Sequence, residues 1–72
     1  MIQISKYYGT HEYSNRSATV LQEAGGSYGV IYTIDDREDY RVFLDKSVHY
    51  AEDAAENWVE GIINPKDLLV TY

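Results

Sequence analysis

The sequence predicts an α+β domain: a three- or four-stranded antiparallel β-meander with one α-helix packed on one face. Three observations carry that expectation. Between Ser47 and Ile62, alanine, tryptophan and aliphatic residues recur at intervals of three and four, as on an amphipathic helix. Upstream, several short runs are rich in β-branched and aromatic residues, as strands are. Gly25-Gly26 and the acidic run Asp35 to Asp39 stand between those runs, where tight turns would join neighbouring strands.

Taken in order, Ile2 and Ile4 alternate with Gln3 and Ser5, so a first strand opens at Ile2 and extends to Tyr8, before Gly9 interrupts it. The polar segment that follows, up to Arg16, reads as a loop; Thr10 to Tyr13 also fit an extension of the strand past a bulge at Gly9. Ser17 to Ala24 and Ser27 to Ile34 flank Gly25-Gly26 as the two arms of a hairpin.

Parity then sets which side chains share a face. Tyr28, Val30, Tyr32 and Ile34 lie on one face of the third strand, and Tyr40, Val42 and Leu44 on one face of the fourth. These sets meet only across a turn with an odd number of residues, which Asp36-Arg37-Glu38 supplies. A three-residue turn Gly25-Gly26-Ser27 would put Ala18 and Val20 beside Tyr32 and Ile34, and a two-residue turn would put Thr19 and Leu21 there; the first is preferred.

The helix is the clearest element. Ala51, Ala54, Ala55, Trp58, Val59 and Ile62 form its apolar stripe, and Glu52, Asp53, Glu56, Asn57 and Glu60 lie mainly outside it. Ser47 occupies the N-cap position, Gly61 the position where a helix ends in a left-handed residue, so the expected span is Val48 to Glu60. The alanines allow close approach to the sheet, with Trp58 the largest contribution to the core; its replacement by alanine would cost ~3–5 kcal/mol. Asn64-Pro65 ends any helix, and Asp67 to Tyr72 reads as a last short strand or as a tail that packs on a neighbour.

A chain of 72 residues is one domain, 1–72, at a size where a single core leaves little net stability. With no cysteine and two histidines, neither disulfides nor a structural zinc site of the usual kind supplements the core, so a homodimer is expected. One helix covers one sheet face, and Tyr7, Ile31 and Phe43 are the candidates for the face a second copy would protect. No run approaches the length of a membrane span, and Met1-Ile2-Gln3 opens without the features of a signal peptide, so a soluble cytoplasmic protein is expected.

The formal charge of -6 falls wholly in the second half, since Lys6 and Arg16 balance Glu12 and Glu23 in residues 1–34. An acidic balance of that kind repels phosphate and disfavours nucleic acid as a partner. The eight tyrosines suit positions half in and half out of water, across a thin sheet or at an interface.

No motif for catalysis, a cofactor or a metal emerges. His49 and Asp53 are spaced i, i+4 with Glu52 beside them, but two or three ligands on one helix turn fall short of a converging site, and a surface histidine is the simpler reading. Asp35-Asp36-Arg37-Glu38-Asp39 lacks the alternation and central glycine of a calcium loop, and Gly25 to Gly29 precedes no helix that could hold a phosphate. No serine stands in a nucleophile context, so an enzyme is not expected. What remains is Glu52, Asp53, Glu56 and Glu60, like charges stacked along one helix surface at a cost of a few tenths of a kcal/mol per pair. They form either a solvated face or a candidate protein-contact face for a basic partner.

The run Tyr50-Ala51-Glu52-Asp53-Ala54-Ala55-Glu56-Asn57-Trp58-Val59 resembles the helix that closes a group of short, acidic, uncharacterised proteins of marine phages and their bacterial hosts. The resemblance covers roughly the last two thirds of the chain and implies a small soluble accessory protein, with no activity or binding residues to carry over. The order of strands and helix also resembles small antitoxin-type modules, though none of their binding motifs is present. The expected function is therefore non-enzymatic, acting through protein–protein contacts on the acidic helix face or the tyrosine-bearing sheet face. The alternatives are a purely structural homodimer and, third, a small metal-dependent enzyme using His49.

Overall fold

The structure is a computed structural model that describes residues 1–63. Four strands, β1 (Ile2–Tyr8), β2 (Arg16–Gln22), β3 (Tyr28–Ile34) and β4 (Arg37–Phe43), form one antiparallel sheet in the order β1-β2-β3-β4, and one helix, α1 (Val48–Val59), packs on it. The expected α+β meander is present with all four strands. The proposed last strand at Asp67 to Tyr72 lies outside the described residues.

Helix α1 is bounded as its sequence requires. The Ser47 hydroxyl accepts a hydrogen bond from the Tyr50 amide at 3.4 Å. At the other end Gly61 adopts φ 81, its amide donates to the Trp58 carbonyl, and the Ile62 amide donates to the Asn57 carbonyl at 2.9 Å. These two bonds form a Schellman motif. The reversal turns Ile62 outward, so it leaves the stripe to which the sequence assigned it and is exposed. Ala51, Ala55, Trp58 and Val59 are buried, with Ala54 at the margin.

The helix runs diagonally, from the Phe43 end of the sheet, where Tyr50 meets Phe43 edge-on, to the Arg16 end, where the Trp58 indole donates to the Thr33 carbonyl at 3.0 Å. Below it lie Ala18, Val20, Val30 and Tyr32. Ala18 pairs with Tyr32 and Val20 with Val30, so the preferred face assignment holds. The turn itself sits one residue earlier than expected: Glu23 and Ser27 close it by a 2.8 Å bond around Ala24-Gly25-Gly26, with Gly26 at φ 97. Its odd length preserves the faces while shifting the register.

The other hairpin departs from the expectation. Ile34 pairs with Arg37, leaving a two-residue turn Asp35-Asp36 instead of the three-residue Asp36-Arg37-Glu38. Asp35 takes φ 54, a left-handed conformation that aspartate tolerates, and Asn15 holds it there: the Asn15 carbonyl accepts from the Asp35 amide at 2.9 Å, and the Asn15 side chain donates to its carboxylate at 3.2 Å. An even turn inverts the strand. Tyr40 and Val42 therefore share the open face with Ile31, and Asp39, Arg41 and Phe43 share the helix-covered face with Tyr32 and Tyr28.

The open face is otherwise than expected in two places. Phe43 and Tyr7 both pack against the covered core, and of the three candidates only Ile31 lies on the open face. Tyr7 reverses side because β1 carries a bulge between Gln3 and Ser5, not at Gly9; the extra residue, Ile4, is exposed, and beyond it Ser5 and Tyr7 face the helix. Gly9 instead leads into a 3-10 turn at His11–Tyr13, so the suggested strand extension does not occur. A side chain at Gly9 would collide with the Tyr13 carbonyl. On the open face, Gly29 gives the Tyr40 ring room to lie on the backbone; a Cβ there would come within 2.8 Å of the ring.

Candidate functional site

Two features single out the Arg16 end of the sheet. The first is Arg16 itself, buried to 8% exposure in a chain with few cations. Its guanidinium donates to the carbonyls of Trp58 at 3.0 Å and Ile63 at 2.8 Å, and lies 4.7 Å and 5.1 Å from the centres of the Trp58 and Tyr13 rings. A buried cation is costly unless partnered. Here the partners are the Trp58 carbonyl in the last turn of the helix, where the dipole is negative, the Ile63 carbonyl beyond it, and two ring faces. The Nε of Arg16 meets no acceptor among the described residues.

The second feature is a groove beside this cluster, with a volume of about 550 Å3. One wall is the end of β1, with Tyr7 and Tyr8, continuing through Thr10 into the 3-10 turn with His11, Glu12 and Tyr13; the other is Glu56 and Val59 of α1 and its C-cap, Glu60. Tyr13 is fixed between two neighbours. Its ring faces Arg16, and it lies so close to Gly61 that any Cβ there would overlap it. His11, at φ 54, takes the left-handed backbone that brings the turn back towards the helix.

Of the four acidic residues singled out from the sequence, the structure brings Glu56 and Glu60 together with this groove and leaves the other two outside it. The Glu52 carboxylate lies 3.3 Å from His49 Nδ1, one helical turn back, so His49 engages Glu52 and not Asp53. Asp53 is exposed. Among the described residues no three His, Cys, Asp or Glu side chains converge as a metal site would require, and the acidic turn is solvated, with Asp39 paired to Arg41 at 3.2 Å. No described helix is long and apolar enough to cross a membrane.

The tyrosines, His11 and Glu12 were missed as site residues because each lies in a segment that reads only as loop or strand end. The excess of tyrosine was the available signal, and it did not say which rings would gather. Two other tyrosines have altered acidity. Burial pushes the Tyr32 phenol up to about 12, aided by nearby Tyr50 and Asp39 and opposed by Arg41. Tyr40 is likewise pushed up to about 12, by the desolvation of its ring on the sheet and by the Glu23 carboxylate, to which its hydroxyl donates.

No protein-family model, curated protein or solved structure matches the chain.

Proposed function

We propose that this chain is a small non-enzymatic accessory protein that docks a basic partner protein at the Glu56 and Glu60 end of its helix. The observation that carries this reading is the placement of Glu56 and Glu60: both are exposed, neither has a cation within ion-pair distance among the described residues, and both line the tyrosine-walled groove. Carboxylates beside phenol rings recognise cations by charge and ring contact, which requires no bond to be made or broken. A phage or phage-host accessory role is what the resemblance of the helix implies, and we propose the cytoplasm as the place of action.

The test is capture from a host lysate over a series of salt concentrations, using the unchanged protein and a Glu56→Lys/Glu60→Lys variant. Docking through this face gives capture that weakens with salt and is lost in the variant. Equal capture by both proteins would overturn it.

A second reading, self-association through the open sheet face, is favoured by a separate observation. Ile31 and the exposed Tyr40 and Val42 share that face, and Met1, Ile31, Glu38 and Tyr40 line a hollow on it. A mass measured by light scattering from micromolar to near-millimolar protein tests this; a constant monomer mass would remove it.

A further inference from the structure

We propose that the groove is a seat for the side chain of one arginine, presented by an extended segment of the basic partner. This rests on the reading above and goes further, to the chemistry of the recognised residue. The walls carry an excess of carboxylate: among the described residues Glu12, Glu56 and Glu60 line the groove with His11 as the one other titratable non-phenolic group, and the Lys6 ammonium stands over the lining Tyr8 ring. The groove, about 550 Å3 and open to solvent along one side, leaves room for a long side chain with its flanking backbone.

Arginine is favoured over lysine by the kind of wall. A guanidinium is planar and weakly hydrated, so it can lie on a phenol ring while its fork of N–H groups reaches carboxylates; an ammonium is compact and more strongly hydrated. The protein already uses that geometry internally, where the Arg16 guanidinium lies 5.1 Å from the centre of the Tyr13 ring. Tyr13 is held by Arg16 and by Gly61, so the ring that lines the groove is fixed before any ligand arrives. A wall fixed in advance lowers the entropy lost on binding. Tyr8, 67% exposed, lines the groove as a second ring; the Lys6 ammonium lies 5.4 Å from its centre, so an arginine seated there takes the place of Lys6 on that ring.

The experiment is an NMR titration of the whole chain with three blocked tripeptides, Gly-Arg-Gly, Gly-Lys-Gly and Gly-citrulline-Gly. The arginine peptide is expected to shift the amides of His11, Glu12, Tyr13, Glu56 and Glu60 saturably, with a dissociation constant in the millimolar range. The lysine peptide should bind several-fold more weakly, and the citrulline peptide, isosteric but uncharged, should leave the spectrum unchanged. Glu56→Gln/Glu60→Gln and Tyr8→Leu should each weaken the arginine peptide at least several-fold. Both changes are at exposed positions, and an unchanged amide spectrum outside the groove verifies their fold.

No saturable shift with the arginine peptide, equal binding of lysine, or indifference to both variants would overturn the proposal. The outcome is separable from that of the docking face. Arginine binding with charge-reversed protein still capturing the same partners keeps the seat and removes the docking reading. Salt-sensitive capture lost on charge reversal, with no preference for arginine, keeps the docking reading and removes the seat.

Discussion

The guanidinium of Arg16 lies 4.7 Å from the centre of the Trp58 ring and donates to the carbonyl of the same residue at 3.0 Å, across 42 positions of sequence. One side chain of β2 thereby fixes the last turn of α1, where the core ends and the groove begins. The charge that this buries is stabilised by the Trp58 and Ile63 carbonyls, the first of which also accepts from the Gly61 amide.

Replacing Arg16 with methionine keeps much of the stem's packing and removes the donors, and is expected to cost about 2–4 kcal/mol. Lysine at the same position restores a charge without the planar contact to Tyr13 and Trp58, and should recover only part of that loss. Urea denaturation followed by the fluorescence of Trp58, the single tryptophan, measures both. A methionine variant as stable as the parent would show that the carbonyl contacts are replaced by water at no cost.

Gly61 and Gly26 separate backbone strain from steric overlap. Both have positive φ, 81 and 97, but the space around Gly26 is open while that at Gly61 is occupied by the Tyr13 ring. Gly26→Ala should cost about 1 kcal/mol from the left-handed backbone alone, and Gly61→Ala clearly more. In a Tyr13→Ala background the excess at Gly61 should vanish, giving a coupling that the corresponding Gly26 cycle does not show.

Alkaline pH should destabilise the fold through two phenols. Tyr32 and Tyr40 are raised to about 12 from the ordinary 10.0, so above pH 10 the unfolded chain releases protons that the folded chain retains. The contribution is fully present below pH 10 and is lost as pH rises towards 12, at up to about 1 kcal/mol per pH unit for the buried Tyr32. Denaturation midpoints measured at a series of pH values should fall across that window. Tyr32→Phe should flatten the slope, and a slope unchanged by Tyr32→Phe and Tyr40→Phe would assign it to other groups.

What could be read from the sequence was what is local. Ser47, the alanine stripe and Gly61 act within a few residues of one another, so the helix and its ends were legible in order and extent. The Asp35-Asp36 turn was not, because its even length depends on aspartate accepting a left-handed φ with Asn15, twenty positions away, holding it. That one residue of turn length decided the face of every side chain in β4. The bulge at Ile4 acted in the same way on Tyr7. In the site, Glu56 and Glu60 were legible as a like-charged pair, whereas Tyr13, His11 and Arg16 join them only through tertiary contacts that leave no periodic trace.

Reversing charge at Glu56 and Glu60 tests whether that pair is more than solvated surface. The last turn of α1 holds no basic residue, and Glu60 stands at its C-cap, where a negative charge opposes the helix dipole. Lysine at position 60 should therefore relieve repulsion, and lysine at position 56 gains Glu52 four residues before it in the favourable order. Stability should rise by about 0.5 kcal/mol for the pair, read from the shift in the urea midpoint. The same two changes replace two of the carboxylates lining the groove with cations, so a basic partner that docks there should be lost. Binding by the unchanged protein should also weaken as salt shortens the reach of exposed charges to ~8–10 Å. Stability and binding would then move in opposite directions, as they do when charges are kept for recognition at some cost to the fold. A charge-reversed protein that gained stability and still captured the same partners, with the same dependence on salt, would leave these carboxylates as a solvated face alone.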